Sequence, residues 1–137
     1  MKLFTTTALA LTIAAGTAFA AAHSTDMVEA MDQDVSNGVV SADKVMASVN
    51  GWMVVHRTDA EMKPGPVVGY APLRAGENID VAAILQEEVK SGEMLMLMVH
   101  AEEGGMKMGG FEYTLGAKED GPIKPDGKLV MAVITAK

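Results

Sequence analysis

Cysteine is absent from the 137 residues. No disulfide can staple the fold, no thiolate can serve as nucleophile or metal ligand, and no lipidated cysteine can anchor the chain. Aromatic residues are scarce, with 1 Trp, 2 Tyr and 3 Phe, so aliphatic side chains must fill most of the core. Basic residues are outnumbered: 11 Lys and Arg against 18 Asp and Glu leave a net charge of −7. An acidic surface repels phosphate backbones and anionic headgroups, which argues against nucleic acid or a membrane surface as partner. No internal repeat is present.

Long apolar runs are also missing. The stretch 8–15 falls short of the ~20 residues that a spanning helix needs. It follows Lys2 and leads to Ala18, Phe19 and Ala20, the charged, apolar and small-residue order of a secretory signal. Residues 1–20 are therefore expected to be a cleaved signal peptide, 21–30 a flexible mature N-terminus and 31–137 one domain. The mature protein is expected to be periplasmic or secreted, with no membrane span after cleavage. Losing Lys2 takes the charge from −7 to −8.

The templates of catalysis fail on inventory. There is no Gly-x-Ser-x-Gly elbow, no His-Glu-x-x-His helix and no phosphate-cradling glycine loop closed by Lys-Ser or Lys-Thr. Adjacent carboxylates such as Glu87 and Glu88 or Glu102 and Glu103 would point to opposite faces of a strand and make no dyad. The expectation is a protein that is not an enzyme.

What is present is punctuation. Asn37-Gly38, Asn50-Gly51, Pro64-Gly65-Pro66, Gly104-Gly105, Gly109-Gly110, Gly121-Pro122 and Asp126-Gly127 mark turns. Between them lie short apolar runs that predict strands at 33–36, 39–49, 52–58, 67–71, 78–83, 93–101, 111–115 and 128–136. The stretch 81–89 has a two-turn helical alternative. No amphipathic helix of a dozen residues separates the strands, so the pattern predicts an all-β sandwich of about 7 to 8 short strands.

Several of these stretches, in order, resemble a domain of unknown function found in exported and surface proteins of archaea and bacteria. The likeness rests on Trp52-Met53-Val54-Val55-His56, on Pro64 to Gly69 leading to Pro72-Leu73 and Ala75-Gly76, and on the strand ending in His100. Phe111-Glu112-Tyr113, Asp120-Gly121-Pro122 and Asp126-Gly127 continue it. The resemblance implies an immunoglobulin-like β-sandwich, exported, with no assigned activity. In that family an acidic residue follows the position of His100, whereas here Ala101 intervenes before Glu102. The dense methionines lie outside the family pattern.

Methionine is the surplus: 12 residues in all. In the run Glu93 to His100, strand alternation puts Met94, Met96, Met98 and His100 on one face and Leu95, Leu97 and Val99 on the other. Thioether sulfur is a soft donor that selects Cu(I), and Met106 and Met108 follow in a Gly-rich loop. Methionine is equally an adaptable core hydrophobe, which is the ordinary explanation for such a strand. Cleavage after Ala20 would leave His23 third behind a free amine, a square-planar arrangement suited to Cu(II). Cleavage after Ala22 would make it a first-residue chelate. His56 and His100 each close an apolar strand and are candidates for a ligand-binding rim at one end of the sandwich, but with strand pairing unreadable from sequence, satisfaction of both rings by backbone carbonyls is the favoured expectation.

Two readings follow. The first is a non-catalytic exported β-sandwich module that binds an unknown protein or small ligand, with no cofactor. The alternative is a periplasmic copper-binding protein that uses the methionine strand, the loop methionines and histidine.

Overall fold

The structure is a computed structural model that describes residues 25–137. The expected signal segment and His23 lie outside the described residues. The chain builds β1 (Met27–Glu29), β2 (Val39–Ala47), β3 (Gly51–Thr58), β4 (Val67–Leu73), β5 (Gly76–Leu85), β6 (Met94–Ala101) and β7 (Met131–Thr135), with one 3-10 turn at Pro125–Gly127. Among the described residues no helix is long and apolar enough to cross a membrane.

The strands form one seven-stranded sheet in the order β1-β2-β5-β4-β3-β6-β7. Every strand pair is antiparallel. Strands β3, β4 and β5 make a meander and β2 returns beside β5, a Greek key. The sheet folds over until its ends meet: Gln33 bridges Ala136, and the Lys137 amide donates to the Gln33 carbonyl at 2.9 Å. The all-β class expected from turn spacing is the class observed.

Alternation explains the packing. On β2, Val40, Ala42, Val45 and Ala47 turn inward, and Met53, Val55, Val68, Ala71, Leu73, Leu95, Leu97, Val99 and Ile134 meet them in a single apolar core. Strands β3 and β6 are different, because their other faces are buried as well. The long connection 102–130 between β6 and β7 lies across that outer face. An all-apolar strand needs cover on both sides, and this connection supplies the second.

Four expectations need correction. Residues 33–36 form no strand: Gln33 makes one bridge, its side-chain amide pairs with the Ser41 backbone in both directions at 2.8 Å, and a turn follows. Residues 111–115 are irregular, because Phe111 and Tyr113 lie over the sheet rather than within it. The helical alternative at 81–89 is strand as far as Leu85. The 21–30 stretch, expected to be flexible, contains β1, whose Met27, Val28 and Glu29 pair with Met46, Val45 and Lys44. That strand is steadied by the Ser48 hydroxyl, which donates to Asp26 at 3.0 Å.

Candidate functional site

Antiparallel register sets out the outer face of β3 and β6 in rows. Trp52 stands opposite His100, Val54 opposite Met98, His56 opposite Met96 and Thr58 opposite Met94. Side chains directly opposite share a face, so the two histidines lie at the ends of a diagonal with the Val54–Met98 row between them. A register shift between Val55 and His56 against β4 distorts the strand where His56 leaves it. Bulges of this kind re-aim a side chain.

Both imidazoles are fully buried, at 0% exposure, and each is held at its inner nitrogen. His56 Nδ1 donates to the Gly65 carbonyl at 2.8 Å, and His100 Nδ1 donates to the Asp120 carbonyl at 2.7 Å. A carbonyl only accepts, so both Nδ1 atoms carry the proton and both Nε2 atoms present lone pairs. Those Nε2 atoms are 3.4 Å apart. The ring centroids are 5.5 Å apart, and the difference of 2.1 Å is close to two ring radii. The rings therefore meet nitrogen to nitrogen, not face to face.

Burial disfavours imidazolium here. Desolvation pushes the His56 pKa down, against the opposing effect of the Gly65 hydrogen bond. Desolvation pushes His100 down to about 4, with the Asp120 carbonyl bond opposing and the neighbouring His56 adding to the fall. At neutral pH the pair is uncharged, so two lone pairs face each other with no proton to share. A cation relieves that repulsion.

Every aromatic residue beyond position 20, Trp52, Tyr70, Phe111 and Tyr113, gathers on this face. Tyr113 stands edge-on to both imidazoles, with centroids 4.5 Å from His100 and 5.9 Å from His56. Beyond it, Phe111 stacks on Tyr70 at 4.2 Å. Trp52 Nε1 donates to Glu102 Oε2 at 2.9 Å, while Glu102 Oε1 accepts the Gly109 amide at 3.1 Å. The scarce aromatics thus seal the histidine pair from water.

Asp120 ties the cover down. Its carboxylate accepts the amides of Glu103 at 3.1 Å and Glu112 at 2.7 Å, and its own amide donates to the Glu103 carbonyl at 2.8 Å. It is fully buried and adopts φ 47°, in the left-handed region that Asp and Asn tolerate better than most residues.

The candidate residues of the sequence separate into groups. Met96 and Met98 are buried, at 0% and 1% exposure, on the same face as His56 and His100. Met94 is half-buried at the far end of β6, opposite Thr58 and Thr135. Met106 and Met108 stand out in solvent on the covering connection, each 96% exposed. His56 and His100 do come together, but on a sealed sheet face rather than at an open rim, because the 102–130 connection covers them. Sequence reasoning missed Asp120, Gly65 and Tyr113. Their turn and strand signals carry no hint of which strand they will lie upon.

Among the described residues, no three of His, Asp and Glu converge to hold a metal. The uncharged side-chain donors that remain on this face are thioether sulfur and phenol. Imidazole–metal bonds run about 2.0–2.1 Å, so an ion bonded to both Nε2 atoms would sit about 1 Å off the line joining them and leave a third position on the outer side of the bend.

The fold and the face define a class: an antiparallel β-sandwich with a buried, head-on histidine pair on the outer side of its central strands. Within it, this chain belongs to the DUF7282 family, a domain of unknown function, whose model matches residues 26–137. That span takes in every strand. No curated protein and no solved structure matches the chain.

Proposed function

We propose that this is a non-catalytic, exported binding module whose ligand is one soft metal ion, Cu(I), held by His56 Nε2 and His100 Nε2 with Met98 as the thioether donor. The observation that carries this reading is the 3.4 Å approach of two Nε2 atoms whose Nδ1 partners are both carbonyls. Both rings are already oriented by those bonds, as metal-ligating histidines usually are.

The chemistry favours copper in its reduced state. Thioether and imidazole suit Cu(I), which accepts few ligands, whereas Zn(II) takes four and prefers thiolate or carboxylate company. Among the described residues no carboxylate joins the two imidazoles in a three-group cluster, Glu102 and Asp120 being engaged by Trp52 and by backbone amides, and Tyr113 packs edge-on against both rings. Methionine also survives an oxidising compartment where thiolates are consumed.

The test is an anaerobic titration of the protein with Cu(I) against a chromophoric chelator. One equivalent should be withdrawn from the chelator, and His56→Gln and His100→Gln should each abolish that competition while near-ultraviolet dichroism of Trp52 shows the fold intact. A parent protein that fails to compete with a weak Cu(I) chelator removes the proposal.

A further inference from the structure

The loop that covers the histidine pair has a second feature. Its turn carries Met106 and Met108, both 96% exposed, whereas the isolated surface methionines Met31 and Met62 are 70% and 53% exposed. Burying a methionine side chain is favourable relative to leaving it in water. This loop forgoes that gain twice within three residues.

Floppiness does not explain it, because the backbone is pinned. The Lys107 amide donates to Glu112 Oε2 at 3.0 Å, the Gly109 amide to Glu102 Oε1 at 3.1 Å, and the Gly110 amide to the Lys107 carbonyl at 3.2 Å. The last bond closes a four-residue turn with Met108 at its corner. Gly109 supplies the required φ of 79°. At Gly105, a Cβ would lie 1.9 Å from Glu112 Oε2, so the carboxylate that holds Lys107 needs a glycine beside it. A fixed turn therefore aims two thioethers outward.

We propose that Met106 and Met108 form a surface site for a soft monovalent ion, where Cu(I) is first captured before it passes to the histidine pair. The capture site stands by itself; only the onward passage rests on the buried site proposed above. Two flexible thioethers two residues apart can close on one ion. Thioethers are neutral, and the adjacent Lys107 opposes a cation, so the site holds weakly and releases readily. Met108 also lines a groove with Glu102, Trp52 and Arg74, and Trp52 is the row neighbour of His100. In the transfer, sulfur–copper bonds break as nitrogen–copper bonds form. Copper stays Cu(I), and no proton is displaced because neither Nε2 carries one.

The test uses Ag(I), a redox-inert stand-in for Cu(I), with the protein labelled at its methionine methyl carbons. The Met106 and Met108 methyl signals should shift at Ag(I) concentrations about tenfold below those that move Met31 and Met62, as two linked donors on one ion predict. Equal sensitivity of all four would overturn the surface site. In a His56→Gln/His100→Gln protein the Met106 and Met108 shifts should persist, so loss of the buried site and loss of the surface site read out separately. A Met106→Leu/Met108→Leu protein should fill the buried site to the same endpoint about tenfold more slowly. An unchanged loading rate would overturn the capture role.

Discussion

The backbone carbonyl of Asp120 accepts the Nδ1 proton of His100 at 2.7 Å, while the Asp120 carboxylate accepts two amides of the covering connection. One residue thus orients an imidazole on the sheet and fastens the segment that buries it. Fastening and orientation are thereby coupled through Asp120.

Asp120→Ala loses both carboxylate bonds and places a less tolerant residue at φ 47°. Hydrogen bonds to a charged group contribute about 1.5–3 kcal/mol each, so a loss of about 3 kcal/mol or more is expected in urea unfolding. Asp120→Asn tolerates the backbone and retains one acceptor oxygen, so it should fall between the two. Equal stability of Asn and Ala variants would show that the carboxylate bonds do not govern the cover.

The histidines give stability a pH dependence with a definite sign. Their folded pKa values lie below the ordinary imidazole value of 6.5, with His100 at about 4, so the unfolded chain binds more protons between those limits. Their contribution is fully present above pH 6.5, falls as pH drops toward 4, and changes by at most about 1.4 kcal/mol per pH unit for each group. His100→Gln should flatten this part of the curve, which separates it from carboxylate titration at lower pH. A parent curve that is flat from pH 6.5 to 4.5 would contradict the buried neutral pair.

Gly65 has no room for a side chain. A Cβ there would lie 2.7 Å from the Arg57 carbonyl oxygen, a backbone atom fixed within β3. Gly65→Ala should cost about 1–3 kcal/mol, as overpacking does, and should draw the Gly65 carbonyl away from His56. Thermal melts give the first effect. A change in the exchange rate of the His56 Nδ1 proton gives the second.

Met98 separates packing from chemistry. Met98→Leu conserves volume and should cost less than about 1.5 kcal/mol, whereas Met98→Ala should cost about 2–5 kcal/mol through the cavity it leaves. Only the sulfur is lost in the leucine variant, so Cu(I) affinity should fall by about tenfold or more while the melt barely moves. Undiminished Cu(I) affinity in that variant would remove Met98 from the ligand set.

Much of this was legible locally. Strands β3, β4 and β6 follow from apolar runs bounded by turn residues, and strict alternation places Leu95, Leu97 and Val99 opposite Met96, Met98 and His100. The failures have physical causes. Phe111 and Tyr113 carry the same period-two pattern whether they pair in a sheet or cover one, since both arrangements bury alternate side chains. Met27 to Glu29 is too short to show a period, and its pairing with Lys44 to Met46 makes it a strand.

Local pattern was enough for an all-β chain without thiols, with a central strand apolar on both faces and its histidines at defined positions along two strands. Composition made the aromatic residues few. Long-range pairing was needed to assemble the aromatics past position 20 over those histidines, and to seal Met96 and Met98 inside while Met106 and Met108 stand in solvent. The reason is register: alternation assigns a side chain to a face of its own strand. The meeting of His56 with His100 depends on which strands pair, on the shift beside Val55, and on carbonyls from Gly65 and Asp120, 9 and 20 residues away in the chain.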